Sequence, residues 1–147
     1  MKNILFLFCF AMLAFRPAPE AGGGKLTLRF EGVEVAGGTV RLALYSKKGE
    51  FMSEERAILY NFKLDGEGAL VGTLENLPTG SHAFAVFLDE NNNKMLDKNL
   101  FGVPTEPYGF SKTPPSKWRL PTWEEVKFEV GQSDQALVVN LKRWALL

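Results

Sequence analysis

Apolar and polar residues alternate along the chain in short stretches, and the alternation predicts strands. Residues 25–35 (Lys-Leu-Thr-Leu-Arg-Phe-Glu-Gly-Val-Glu-Val) and 39–45 (Thr-Val-Arg-Leu-Ala-Leu-Tyr) repeat every second residue. That is the period of a strand with one buried face. Gly37-Gly38 between them is a turn signal, so the two stretches are expected to form a hairpin. Residues 46–56 are polar, and Phe51 and Met52 are expected to fold back on the core. Residues 57–64 and 69–77 predict a third and a fourth strand. Between them lies Asp65-Gly-Glu-Gly68, a sequence suited to a tight turn with positive φ. After the Pro78-Thr-Gly80 turn, residues 81–88 are the most apolar stretch and the expected central strand. Residues 126–130 and 136–141, joined by 131–134, close the series. No helical period of 10–15 residues separates the strands, which excludes βαβ units. The pattern predicts an all-β, antiparallel β-sandwich of about seven strands with one long loop, 89–125. A short helical turn is expected near Leu96 or Glu124.

The first two dozen residues differ from the rest. Lys2 precedes an almost unbroken apolar run from Ile4 to Phe15, and Arg16-Pro-Ala-Pro-Glu-Ala-Gly-Gly-Gly24 ends it. A basic start, a short apolar core and a small-residue exit predict a signal peptide and linker over 1–24. The run is too short to span about 30 Å of hydrocarbon, so the mature chain carries no expected membrane span. An exported protein, periplasmic or extracellular, follows as the expectation, with one sandwich domain over 25–147. Cys9 is the only cysteine of the 147 residues and lies in the apolar run. Phe8 before it excludes lipidation at that thiol. Without the leader, the chain has no disulfide, thiol nucleophile or cysteine metal site. Lys and Arg number 17 against 17 Asp and Glu, with no basic stripe. The electrostatic footprint of nucleic-acid binding is missing.

The chemistry sits where the central strand ends. Asp89, Asn91, Asn93 and Asp97 occupy offsets 0, 2, 4 and 8 of Asp89-Glu-Asn-Asn-Asn-Lys-Met-Leu-Asp97. Ca²⁺ takes 6–8 oxygen ligands at about 2.3–2.6 Å, and hard oxygens at every second position of a curled loop suit it. A carbonyl of 94–96 and the Glu106 carboxylate complete the expected metal set of Asp89, Asn91, Asn93, Asp97 and Glu106. An EF-hand wants Gly at position 6 and Glu at position 12, and here those are Lys94 and Leu100. Ca²⁺ is therefore expected in a loop that follows a strand. The equal alternative is a metal-free turn network, because Asn and Asp side chains also bind the nearby backbone. Mg²⁺ suits a flexible loop poorly. Zn²⁺ lacks its usual Cys or His cluster.

Other candidates are weaker. His82 is the only histidine and stands in an alternating strand without a nucleophile motif, so an edge or surface role is expected rather than catalysis. Glu54-Glu55 and Glu124-Glu125 are expected to be solvated charges, since neighbours in sequence diverge in direction. Trp118, Trp123 and Trp144, with Tyr108 and Phe110, could stack on sugars or anchor a protein. The plainer expectation is that Tyr108 and Phe110 pin the loop to the domain. Five prolines stiffen the loop, at 104, 107, 114, 115 and 121.

The run from Leu77-Pro-Thr-Gly80 through Asp89-x-Asn-x-Asn-x-x-x-Asp97 to Gly102-Val-Pro-Thr-Glu-Pro-Tyr-Gly-Phe-Ser111 resembles an exported bacterial family catalogued as domain of unknown function 2141. The chain departs from that pattern at Phe84, where Tyr or a similar aromatic is expected after the Gly turn, and at Lys94, where the family often has Gly. The resemblance implies an exported immunoglobulin-like or prealbumin-like sandwich and no established activity. The resulting expectation is a non-enzymatic exported domain with an interaction or structural role, stabilised by Ca²⁺ through 89–97. It has no catalytic and no cofactor-binding residues, and its partner is an unknown protein or glycan. The alternative is an enzyme or carbohydrate-binding module using the acidic and aromatic residues of 89–125.

Overall fold

The computed structural model describes residues 23–32, 37–64 and 70–144. Among them eight strands follow one another: β1 Gly24–Glu31, β2 Thr39–Tyr45, β3 Ile58–Lys63, β4 Leu70–Leu77, β5 Gly80–Asp89, β6 Tyr108–Phe110, β7 Phe128–Val130 and β8 Gln135–Asn140. One short helix, α1 Trp123–Val126, precedes β7. One sheet has the order β4-β1-β8. The other has the order β3-β2-β5-β6, with β7 also paired to β5. The two sheets pack into a β-sandwich.

Alternation decides which side chains enter the core. Leu26, Leu28 and Phe30 of β1, with Leu74 of β4 and Val139 of β8, face Val40, Leu42 and Leu44 of β2 and Phe84, Val86 and Leu88 of β5. Each side chain of this size contributes about 1.5–3 kcal/mol on burial. A second cluster covers the opposite face of the larger sheet: Tyr45, Ala83, Trp123 and Val126, with Phe51 and Phe110 packed on it. β5 is thus buried on both faces. This is why residues 81–88 read as a nearly continuous apolar run, and β5 is central, as that run predicts.

Three features depart from the expectations. The first two stretches form no hairpin: β1 pairs with β4 and β8, whereas β2 pairs with β3 and β5. Alternation fixes a strand's faces and leaves its partner open. Gly38 serves a close approach instead, with φ +95° and a position where a Cβ would lie 2.7 Å from the carbonyl oxygen of Asp89. The β1–β8 pairing is parallel, in a sandwich whose other pairings are antiparallel. The long loop also contains a strand, β6, paired with Ala85–Phe87 of β5.

The helical turn near Glu124 is α1, while residues around Leu96 bend without a helix. Phe51 packs edge-on against Tyr45 (5.5 Å) and Trp123 (5.9 Å), but Met52 faces solvent. The leader expected over 1–24 lies, up to residue 22, outside the described residues, as does the turn at 65–68. No described helix is long and apolar enough to cross a membrane.

Candidate functional site

Asp89 ends β5 on the outer face of the larger sheet, and its side chain is 0% exposed. Strand register explains its partner. Thr39 lies opposite Asp89 and Arg41 opposite Phe87, so Arg41 and Asp89 meet diagonally on one face. The Arg41 Nε donates to Asp89 Oδ2 at 2.5 Å, and its Nη1 donates to Asn61 of β3 at 3.0 Å. The backbone N–H groups of Asn93 (3.0 Å) and Lys94 (2.9 Å) complete the carboxylate's shell. Burial alone would raise the Asp89 pKa. The Arg41 hydrogen bond, the Lys94 N–H, the Arg41 charge and the Asn93 N–H outweigh it and hold the group below its ordinary value.

The chain then coils back on itself through side-chain-to-backbone bonds. Asn91 Oδ1 accepts from the Asn93 N–H at 3.0 Å, and Asn93 Oδ1 accepts from the Met95 N–H at 2.8 Å. These are the local turns that Asn favours. Asn92 (φ 58°) and Lys94 (φ 70°) adopt left-handed backbone conformations. Glycine has no steric penalty there, which accounts for the glycine that the resemblance leads one to expect at 94. The Asn91 and Asn93 amides donate to the two oxygens of Asp97 at 2.6 and 2.8 Å. Thr39 Oγ1 donates to Asn92 Oδ1 at 2.7 Å and ties the coil to β2.

Glu106, 4% exposed, closes the loop from inside. One carboxylate oxygen accepts the Glu90 N–H (2.9 Å) and the other accepts the Asp97 N–H (3.0 Å). Between them, Lys98 bridges Pro104 in a small antiparallel excursion with Leu100 and Phe101 at its tip. Asn99 Oδ1 caps that tip by accepting from the Phe101 and Val103 N–H groups.

Residues 107–111 join the loop to the sheet one by one. The Leu88 N–H donates to the Pro107 carbonyl at 2.8 Å, and Tyr108 exchanges backbone bonds with Lys142. A Cβ at Gly109 would lie 2.7 Å from the Asn140 carbonyl oxygen, so only glycine permits this approach to the C-terminal segment. Buried Ser111 accepts the Phe84 N–H at 3.1 Å and donates to the Val126 carbonyl at 2.6 Å. Tyr108 and Phe110 do pin the loop.

All five expected metal ligands therefore gather at one end of β5, but not on one point. Asp89 and Glu106 spend their oxygens on an Arg side chain and four backbone N–H groups. Asn91, Asn93 and Asp97 face one another. Among the described residues no cluster of three or more His, Cys, Asp or Glu is arranged to hold a metal. Each Glu106 oxygen accepts one backbone N–H and keeps a further lone pair, in a carboxylate that is buried. The amides of Asn91 and Asn93 are fixed as they stand, because turning them over to offer carbonyl oxygens beside Asp97 would set their NH₂ groups against the Asn93 and Met95 N–H groups. Sequence reasoning missed Arg41, and met Ser111 only as the end of the 102–111 run, without a role. Arg41 carried a usable signal, being a charged residue at an outward position of a strand whose neighbours Val40 and Leu42 point inward.

Most of the remaining candidates are engaged within the fold. His82 is buried rather than at the surface. Its Nε2 lies 2.7 Å from the Pro78 carbonyl and its Nδ1 3.1 Å from Ser46 Oγ. A carbonyl only accepts, so Nε2 carries the proton and Nδ1 receives the Ser46 hydroxyl. Burial lowers the His82 pKa, against a smaller opposing effect of the Glu129 charge. Glu124 binds Lys48 and Lys127, and Glu125 is clamped by Arg119. The Arg119 hydrogen bond, followed by the Thr122 N–H, holds the Glu125 pKa at about 2. Trp123 is a core residue, whereas Trp118 stands out from the loop.

Residues 28–137 match the family described as uncharacterized protein conserved in bacteria (DUF2141), and the chain belongs to this family. No curated protein and no solved structure matches it.

Proposed function

We propose that this member of the family is an exported, non-enzymatic sandwich domain with an interaction or structural role, its 89–111 segment a self-held platform. One observation carries the reading. The carboxylates of Asp89, Asp97 and Glu106 accept hydrogen bonds from the loop's own donors and from Arg41 of β2, and none stands free as a general acid, base or nucleophile. Export is supported by Lys2, by the apolar run 4–15 and by the lack of cysteine in residues 10–147. N-terminal sequencing of the secreted or periplasmic protein tests it. A chain that starts at residue 1 and stays in the cytoplasm refutes export.

Ca²⁺ enters this reading as an accessory ligand centred on the Asp97 carboxylate, which Asn91 and Asn93 would join through their oxygens only by releasing the Asn93 and Met95 N–H groups. Arg41 already neutralises Asp89, so the site carries little net charge and its affinity belongs with the weak extracellular modules, at about 0.1–1 mM. Calorimetry tests this directly. No heat, and no rise in melting temperature at millimolar Ca²⁺, removes the ion from the account.

A second reading, as a carbohydrate-binding module, is favoured by one observation: Trp118 is exposed and packs against Trp144 with ring centroids 5.4 Å apart. An array of soluble glycans tests it.

A further inference from the structure

The outward side of the loop is unlike the inward side. Between residues 91 and 121 the large apolar side chains of Met95, Leu100, Phe101, Trp118 and Leu120 are exposed. Leu100 reaches 102%, Phe101 89% and Trp118 76%. Leu100 and Phe101 form the tip of the 98–104 excursion, where no fold contact requires an apolar residue. The exposed charges in the same stretch are all basic: Lys94, Lys98, Lys112, Lys117 and Arg119. The two acids of the stretch, Asp97 and Glu106, are turned to the loop's own donors. Arg119 is paired with Glu125, while no described ion pair involves any of the four lysines. A chain of zero formal net charge thus gathers unpaired cations and exposed apolar side chains in about thirty residues.

The two apolar groups belong to one end of the sandwich. Arg143 donates to the Thr105 carbonyl at 2.6 Å, at the base of the excursion, and also pairs with Glu90. The next residue, Trp144, packs edge-on against Trp118. Lys117 Nζ lies 5.1 Å from the Trp118 ring centroid and 5.8 Å from that of Trp144. The indole N–H of Trp144 has no acceptor among the described residues, so the fold itself does not complete this aromatic pair.

The geometry points to a peripheral membrane-docking surface: Leu100 and Phe101, with Trp118 and Leu120, enter the interface of an anionic lipid bilayer while Lys94, Lys98, Lys112 and Lys117 meet its headgroups. Apolar tips flanked by lysines, with an indole at the boundary, suit this interface. A sugar fits less well. The Trp118 and Trp144 rings meet at 80° and offer no common flat face, and Leu100, Phe101 and Leu120 have no group to bond a hydroxyl. This inference names the partner of the interaction surface proposed above and rests on that reading.

The test uses residues 23–147, whose buried clusters lie wholly within residues 26–141. Sedimentation with vesicles of phosphatidylcholine containing a quarter phosphatidylglycerol should carry the protein down, and pure phosphatidylcholine vesicles should bind it at least about tenfold more weakly. The double variant Leu100→Ser/Phe101→Ser should lose at least about tenfold in partitioning, from the apolar area withdrawn. Lys98→Glu/Lys117→Glu should do likewise, and its remaining binding should lose its salt dependence. Val138→Ser, an exposed apolar change on β8, should bind as the parent does. Equal binding to both vesicle types, or loop variants that bind as the parent does, overturns the proposal. Failure on vesicles together with binding to heparin, a soluble anionic glycan, overturns the lipid assignment and leaves the interaction reading. Failure on both removes the two together.

Discussion

The inner and outer sides of the same loop obey opposite rules. Inside, at Asp89 and Glu106, charged groups are turned toward backbone N–H groups and an arginine. Outside, at Leu100, Phe101 and Trp118, apolar groups are turned toward water. An ordinary surface loop shows the reverse arrangement, with its polar groups solvated. The inversion separates two tasks. The inner carboxylates replace secondary structure as the means of satisfying a long irregular backbone, because a buried N–H without a partner costs about 1–3 kcal/mol. Held in that way, the outer side can display apolar residues without collapsing onto the sheet.

The comparison can be broken most sharply at Asp89. Asp89→Ala strands Arg41 and frees two N–H groups, and should cost about 3 kcal/mol in urea unfolding. Leu100→Ser at the tip should change stability by no more than about 0.5 kcal/mol. A similar cost for both would erase the distinction. Glu106→Gln comes next, at about 2 kcal/mol, because its amide group must face one of the two N–H donors. If it unfolds like the parent, Glu106 does not close the loop.

Acid separates the inner groups from the rest of the fold. The folded-state pKa of His82 lies below its ordinary value of 6.5, so the unfolded chain binds the proton more tightly. Stability should be complete above about pH 6.5 and decline as pH falls toward the lowered value. For Asp89, also lowered from its ordinary 3.8, the contribution is present above that value and lost on further acidification. Melting curves should therefore show two acid steps, the upper one abolished in His82→Gln and the lower one in Asp89→Ala. A small effect of opposite sign is expected at Lys94. With φ at 70°, Lys94→Gly relieves strain and loosens the unfolded chain, for a net gain of no more than about 1 kcal/mol. Lys94→Val should destabilise.

Much of this architecture is legible in the sequence. Leu26, Leu28 and Phe30, or Val40, Leu42 and Leu44, declare their faces by a period of two. The doubly buried β5 declares itself by losing that period. Partners are another matter. The parallel pairing of β1 with β8 joins the two ends of the domain, and nothing local in either stretch encodes it. β6 is three residues long with a glycine at its centre, too short for any periodicity. The resemblance marks residues 106–111 as important, but only the structure shows why. Gly109 must pass the Asn140 carbonyl, Ser111 bridges β5 to α1, and Glu106 binds two amides. The oxygen-rich spacing of 89–97 reads equally well as an ion site or as a turn network, because Asn and Asp serve both with the same atoms.

Amide hydrogen exchange of the 89–111 segment, followed residue by residue in EDTA and again with Ca²⁺, tests the central claim most directly. The account predicts that the amides of Glu90, Asn93, Lys94 and Asp97 are protected without metal, with Ca²⁺ adding little, because carboxylate oxygens of Asp89 and Glu106 already hold them. Rapid exchange of these four amides in EDTA, with protection appearing only when Ca²⁺ is added, would contradict it.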